Sequence, residues 1–195
     1  GAPYNATPGL IQSGQAFWIS SPAAIGPITI SESTKASANA TGVMFTPIRM
    51  STSVGELRTN LYNVKGGGKI LSDGTFQQFA SDYSNSIDGL DAPKPTNQAE
   101  NLGIKVGQKL IAIERRNIVN QADTIFLSLT GTRVQPYQFE FTASGLSANG
   151  IQGFLEDSYL KNRTPLNREG LTTANCTIEN IPGSYAANRF YIVVT

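Results

Sequence analysis

The stretch that decides the fold is PYQFEFTA, residues 136–143, in which large apolar side chains alternate with polar ones. Tyr137, Phe139 and Phe141 fall on one face of an extended chain, and Gln138 and Glu140 fall on the other. Because successive side chains of a β-strand point to opposite faces of the sheet, this pattern predicts a strand with one buried and one solvated face. The segment therefore indicates an all-β fold built from half-buried strands.

The same alternation recurs along much of the chain. Predicted strands with this pattern are ELRTNLY (56–62) and DTIFLSLT (123–130), and further candidates are KLIAIERR (109–116), RFYIVV (189–194), AFWIS (16–20), GPITIS (26–31), GVMFT (42–46) and CTIEN (176–180). Glycine, proline and aspartate separate these segments, and KGGGK (65–69) predicts a hairpin turn. Roughly ten short strands with little helix predict an antiparallel β-sandwich of the jelly-roll type.

The length of the chain fits a single domain. We expect residues 1–195 to form one β-sandwich, since sandwiches of this size commonly occur as one unit. Residues 1–9 are expected to be an irregular leader, and the Gly-Ala-Pro start indicates a fragment of a longer secreted protein. Residues 81–108 are the longest stretch without strand character, and loops of that length usually bind something or wrap the sheet.

Composition excludes several classes of protein. Charged residues make up 15% of the chain and its net charge is +1, so no basic surface for nucleic acid is expected. No apolar run reaches the length of a membrane-spanning helix, so we expect no membrane insertion. Histidine is absent, which removes Ser-His-Asp and Cys-His mechanisms and imidazole-based metal sites. Cys176 cannot form an internal disulfide and is interpreted as a small apolar filler.

The segment SDYSNSIDGLDAPK (81–94) leaves two interpretations open. Asp82, Asp88 and Asp91 could form an irregular calcium site, because calcium prefers oxygen ligands on loops, although their spacing does not match a calcium-binding hand. Alternatively, these carboxylates cap turns by accepting hydrogen bonds from backbone amides about two residues further along. We favour the second interpretation, and we expect no other cofactor.

Two further sets of residues could bind or cleave glycans. Trp18, Tyr62 and Tyr83 are candidates for stacking on sugar rings through exposed aromatic faces. Glutamates on predicted strands could supply the carboxylate pair of a glycoside hydrolase, namely Glu114, Glu140 and Glu156. Strand glutamates that simply face water are more common, so we expect no catalytic residues.

Several segments resemble, in the same order, pieces of a β-sandwich module found upstream of the C-terminal sorting domain in type IX secretion substrates of Bacteroidota. The segments are IQSGQAFWI (11–19), FTPIRM (45–50), LRTNLY (57–62), SIDGLDAPK (86–94), GQKLIAI (107–113), YQFEF (137–141), FLEDSYL (154–160) and SYAANRFYIVV (184–194). The resemblance covers roughly residues 10–195 and implies a β-sandwich that is exported to the outer cell surface or the medium. It also implies a structural role for the acidic loop, in which Asp91 and Lys94 would form a pair that pins the long connection to the sheet.

Three functional hypotheses follow. The first is a non-catalytic structural, adhesion or interaction module of a large secreted or cell-surface bacterial protein, whose partners are neighbouring domains of the same polypeptide. The second is a carbohydrate-binding module of an extracellular glycan-degrading enzyme. The third is a glycoside-active enzyme with two carboxylates, and the absence of any recognisable reactive motif ranks it last.

Overall fold

The computed structural model describes residues 26–27, 29–34, 55–117, 123–147 and 152–195. The chain forms two compact units, Gly1–Met50 and Ser51–Thr195. In the first unit, the described residues include a 3-10 turn at Glu32–Thr34. The expectation of one domain over the whole chain stays a prediction, and all the described strands lie in the second unit.

Eleven strands make up the described part of the second unit. They are β1 (Gly55–Lys65), β2 (Gly68–Phe79), β3 (Ala92–Pro93), β4 (Asn101–Val106), β5 (Lys109–Arg116), β6 (Asp123–Thr130), β7 (Pro136–Ser144), β8 (Gly153–Asp157), β9 (Asn162–Pro165), β10 (Gly170–Thr177) and β11 (Phe190–Val194). Their hydrogen-bonded order is β10-β7-β1-β2-β5-β4-β6-β11-β8-β9, and β3 lies beside β5. The all-β prediction is confirmed.

A contact between aromatic rings shows that this sheet folds over on itself. The rings of Phe139 in β7 and Phe190 in β11 meet edge to face, with centroids 4.9 Å apart. These two strands are separated in the sheet order by β1, β2, β5, β4 and β6, so they touch because the single mixed sheet curves back on itself, nearly closing into a barrel, and brings them into facing layers. The apolar faces of both layers then enclose one core, as expected for a sandwich.

The strand β5 belongs to both layers. Residues 109–111 pair with β4, whereas residues 113–116 pair with β2. Ile111 and Glu114 are both buried, although residues three apart lie on opposite faces of a regular strand. The face of β5 that points to the core therefore changes between these two residues. This change of face marks a corner of the sheet. The prediction of a fully antiparallel sheet is wrong here for one pair of strands, because β2 and β5 run parallel. The long connection between them, residues 80–108, gives the chain room for such a crossover.

Several boundaries differ from those that alternation predicts. The described residues of GPITIS are not in a strand, and AFWIS and GVMFT lie outside the described residues. Only Cys176 and Thr177 of CTIEN lie in β10, which begins at Gly170 and ends at Thr177. The segment 81–108 contains β3 and β4, so its prediction as strand-free is wrong. The hairpin at KGGGK is confirmed, since Gly66 and Gly67 both take the positive φ that a tight two-residue turn requires.

Candidate functional site

The acidic loop uses its aspartates to hold its own backbone. Asp88 Oδ1 accepts a hydrogen bond from the amide of Leu90 at 2.7 Å, two residues further on. Asp91 Oδ2 accepts from the amide of Asp88 at 2.9 Å, and its Oδ1 accepts from the amide of Arg115 in β5 at 2.8 Å. The bond to Asp88 is the turn-capping bond of the second interpretation, which is confirmed for Asp88. Asp91 instead accepts from an amide three residues before it and from one in β5, so it ties the loop to the sheet.

Lys94 has a different partner from the one expected. Its Nζ lies 2.7 Å from Oδ1 of Asp73 in β2, and the side chains of both residues are more than nine-tenths buried. The expected Asp91–Lys94 pair is therefore wrong, because both carboxylate oxygens of Asp91 are engaged by backbone amides and β2 offers a closer anion. The long connection is nevertheless pinned to the sheet twice, once through Asp91 and once through Lys94.

The described residues do not bring together the set of side chains that the calcium interpretation requires. Among them, no group of three or more histidine, cysteine, aspartate or glutamate side chains is placed to hold a metal ion. Asp82 is exposed on the loop and Asp88 and Asp91 bind backbone amides, so the structure does not gather the three carboxylates around one point.

The three aromatic candidates have different surroundings. The prediction that Tyr83 stacks on sugar rings is wrong, because only 8% of this residue is exposed to solvent. Trp18 lies outside the described residues. Tyr62 is half-buried on β1 and points away from the core, since its neighbour Leu61 is fully buried. Among these three residues, only Tyr62 is described on an accessible face.

Tyr62 lies on a polar outer face formed by β10, β7, β1 and β2. In register beside it are Gln138 on β7 and Asn175 on β10, whose side chains are joined by a hydrogen bond of 2.8 Å from Gln138 Nε2 to Asn175 Oδ1. The ammonium group of Lys69 lies 4.8 Å from the centroid of the Tyr62 ring and donates to Gln138 Oε1 at 3.3 Å. Amides beside an aromatic ring on a flat sheet can hydrogen-bond sugar hydroxyls while the ring packs against the sugar.

The next row of the outer face contains Glu140. Its carboxylate forms an ion pair with Lys69, and hydrogen bonds from Lys69 and from Tyr62 lower the pKa of Glu140. A carboxylate held ionised in this way is a hydrogen-bond acceptor and a poor general acid. Sequence reasoning placed Glu140 and Tyr62 on separate candidate sites, whereas the structure brings them together.

The remaining two glutamates lie elsewhere. Glu156 on β8 is paired with Arg163 on β9, at a surface position. Glu114 on β5 is buried and accepts a hydrogen bond from Gln77 Nε2 at 3.0 Å. The three carboxylates have three different partners on different strand pairs, so the geometry provides no acid and base acting on one bond.

Burial changes the proton affinity of Glu114. Desolvation raises the pKa of its carboxyl group, although the nearby guanidinium of Arg116 and the bond from Gln77 oppose the change. Gln77, Thr59 and Thr75 are buried on the same inner surface. A titratable group with a perturbed pKa inside a polar cluster is a candidate functional position on physical grounds, and structural clusters show the same property.

The stability of the protein is therefore expected to depend on Glu114 ionisation. A carboxyl whose pKa is higher in the folded state than its ordinary value of about 4.3 binds its proton more tightly when folded. Stability from this group is then present at low pH and is lost as the pH rises through the folded pKa, with a slope of at most about 1.4 kcal/mol per pH unit. Urea titrations between pH 4 and pH 8 should show Glu114→Gln gaining stability relative to the wild type as the pH rises. A difference independent of pH would contradict this assignment.

The least predictable arrangement joins β8 to the segment before β11. Arg189 is 1% exposed and forms a bidentate ion pair with Asp157, with Nε to Oδ1 at 2.9 Å and Nη2 to Oδ2 at 2.6 Å. Its Nη1 donates to the carbonyl oxygens of Thr177 and Ser184. Both charged residues occur in segments singled out by the resemblance, FLEDSYL and NRFYIVV, but their pairing across 32 positions has no sequence signature.

The interior also contains the predicted apolar cysteine. Cys176 is buried in the core beside Tyr137, its partner in the β7–β10 register, and burial raises the pKa of its thiol to about 12. A thiol with so high a pKa is a weak nucleophile at neutral pH. The interpretation of Cys176 as a small core residue is confirmed.

Comparisons with known proteins assign neither a family nor a function to the chain. No protein-family model, curated protein or solved structure matches the chain. In the part of the chain that the structure describes, no helix has the length and apolar character needed to span a bilayer.

Proposed function

We propose that this chain is a non-catalytic structural or interaction module of a larger secreted or cell-surface bacterial protein. The observation that carries the proposal is that the candidate carboxylates are dispersed: Glu114, Glu140 and Glu156 each bind a different basic or amide partner. Charged groups in this arrangement hold strands and loops together, and they do not converge on a reacting centre.

The buried ion pairs support the same proposal. Lys94–Asp73 ties the long connection to β2, and Arg189–Asp157 ties the last loop to β8. Both ion pairs join segments that are distant in sequence. They therefore restrain connecting loops, which are usually more mobile than the strands they join. A rigid module with restrained loops suits a spacer or a platform between neighbouring domains of one polypeptide.

The location of the parent protein tests this proposal. Intact cells that produce the natural full-length protein would be treated with a protease that cannot enter them, and released peptides would be identified by mass spectrometry. We expect peptides of this chain from the cell surface or the culture medium. Recovery only after lysis would contradict the proposal, as would turnover of glycoside substrates that disappears in Glu114→Gln.

A second candidate function is glycan binding, which the outer face around Tyr62 favours. Lys69 neutralises Glu140 there, and the amides of Gln138 and Asn175 remain on an exposed surface beside the ring. An uncharged row of amides and one aromatic face suits a neutral polysaccharide chain.

Electrophoresis in gels containing neutral polysaccharides tests this second candidate. If a glycan retards the chain, Tyr62→Ala is expected to weaken binding about tenfold, equivalent to about 1.4 kcal/mol. The matched control is Tyr191→Ala, which removes a half-buried ring from β11 in the opposite layer. Loss of binding in the control alone would place the glycan elsewhere, and no retardation by any polysaccharide would remove the candidate.

A further inference from the structure

The inner face of β1, β2 and β5 carries a polar cluster that neither proposed function uses. Its members are Thr59, Thr75, Gln77, Glu114 and Arg116. Thr59 and Thr75 are partners across β1 and β2, and Gln77 and Glu114 are partners across β2 and β5. Thr75 and Gln77 are two residues apart on one strand, so they share a face. The register thus places these side chains together on an inner surface that is otherwise lined by residues such as Leu57 and Phe79.

Several atoms of this cluster have no hydrogen-bond partner within the described residues. They are Oγ1 of Thr59, Oγ1 of Thr75, Oε1 of Gln77 and Nε of Arg116. Thr59 and Gln77 are 0% exposed and Thr75 is 4% exposed, so bulk solvent does not reach these groups. Because buried donors and acceptors in native proteins are nearly always paired, such a concentration of unpaired atoms points to a bound molecule.

The orientation of the Gln77 amide is fixed by its neighbour. Its Nε2 donates to Oε2 of Glu114 at 3.0 Å, and this bond directs Oε1 of the same amide toward a different part of the cluster. Exchanging the two amide atoms would set Oε1 against a carboxylate oxygen, an unfavourable contact whenever Glu114 is ionised. With Glu114 ionised, the unpaired acceptor is therefore Oε1 of Gln77.

The chemistry of the unpaired atoms selects the ligand. Gln77 Oε1 only accepts hydrogen bonds, Arg116 Nε only donates one, and each threonine hydroxyl can do both. A metal cation would suit the oxygens but would be repelled by the guanidinium, and an anion would be repelled by Glu114. Water donates two hydrogen bonds and accepts two, and buried water typically makes about three bonds to such groups.

We propose that internal water binds in this cluster and bridges the hydroxyls of Thr59 and Thr75 to the amide oxygen of Gln77. The water completes the hydrogen bonding of a polar row within an apolar face. It fixes the threonine hydroxyls where β1 meets β2, close to the corner at which β5 passes between the layers. The cluster is then a solvent-binding site built into the core.

Magnetic relaxation dispersion of water ¹⁷O in solutions of the 195-residue chain tests this directly, because it detects water that stays bound longer than the protein takes to tumble. We expect a dispersion from the wild type that Thr75→Ser retains and Thr75→Val reduces. A wild type without dispersion would overturn the proposal, and so would an amplitude that is unchanged in Thr75→Val. The absence of a wild-type dispersion overturns the proposal even if a variant does not fold, and the comparison of Thr75→Val with Thr75→Ser assigns the dispersion to this cluster.

The unfolding equilibrium gives an independent result. Valine has nearly the shape of threonine, so Thr75→Val removes the hydroxyl and leaves the water one bond short. We expect the unfolding constant to rise about fivefold, the usual effect of one lost hydrogen bond. The matched control is Thr142→Val on the exposed face of β7, where we expect no comparable change. A Thr75→Val variant that is as stable as the wild type, or more stable, would indicate that no water binds the Thr75 hydroxyl and would overturn the proposal.

Discussion

Replacing Arg189 with methionine is expected to lower the free energy of unfolding by about 3–5 kcal/mol, because it leaves the carboxylate of Asp157 buried without its cation. The guanidinium binds both oxygens of Asp157 and also the carbonyl oxygens of Thr177 and Ser184. It lies 4.9 Å from the centroid of the Tyr159 ring as well. Methionine keeps much of the apolar stem and supplies none of these hydrogen bonds. Urea denaturation followed by far-UV circular dichroism would measure the loss.

The matched control for this prediction is Arg163→Met. Arg163 also pairs with a carboxylate, that of Glu156, but about half of its side chain is exposed. Exposed pairs contribute about 0–1 kcal/mol, so the control is expected to stay close to the wild type. Arg189→Lys should fall between the two, because an ammonium keeps the charge but cannot form the bidentate contact. Equal effects at positions 163 and 189 would show that burial does not distinguish the two pairs.

The strands that sequence reasoning found are those with large alternating side chains. Tyr137, Phe139 and Phe141 in β7 and Ile125, Leu127 and Leu129 in β6 are all buried, as the period of two predicts. The strand β4 has the same period in Leu102, Ile104 and Val106, but Gly103 is a poor strand former and the segment was already interpreted as loop. Its signal was therefore present in the sequence and could have been used.

Other elements had no local signal. The strand β10 reads GLTTANCT, and most of its residues are exposed, so alternation of apolar residues could not mark its start. Asp73-Gly74 has the composition of a turn but lies inside β2. A side chain would be crowded there, because a Cβ at position 74 would come within 2.9 Å of Asn60 Oδ1 and 3.1 Å of the Thr59 carbonyl oxygen. Contacts across strands, rather than local preference, determine both segments.

The same reason limits what could be predicted of the candidate site. The capping role of Asp88 depends on a neighbour in sequence and was therefore predictable, whereas the bond from Arg115 to Asp91 comes from another strand. The partner of Lys94 lies 21 residues away on another strand, and the polar cluster around Gln77 combines three strands. Side chains meet in these places because of strand register, which the sequence pattern alone does not determine at a folded corner.

Replacing Asp73 with alanine is the second change expected to have a large effect, again about 3–5 kcal/mol of unfolding free energy. The carboxylate accepts three hydrogen bonds: from Lys94 Nζ at 2.7 Å, from the Leu102 amide at 2.7 Å and from the Gly74 amide at 2.8 Å. Its removal leaves a buried ammonium without an anion and the first residues of β4 without an anchor on β2. Chemical denaturation of the single variant measures the total cost.

A double-mutant cycle separates the two parts of that cost. Lys94→Met removes the buried charge, so the double variant Asp73→Ala/Lys94→Met should recover part of the stability that Asp73→Ala loses. The remaining loss reports the backbone bonds to Leu102 and Gly74, which alanine at position 73 cannot form. Asp88→Ala is the control, since it removes an exposed cap from the same connection and should cost only about 1 kcal/mol. If the two single losses at positions 73 and 94 simply add, Asp73 acts on β4 through its backbone bonds, and the ion pair contributes little to holding the long connection against the sheet.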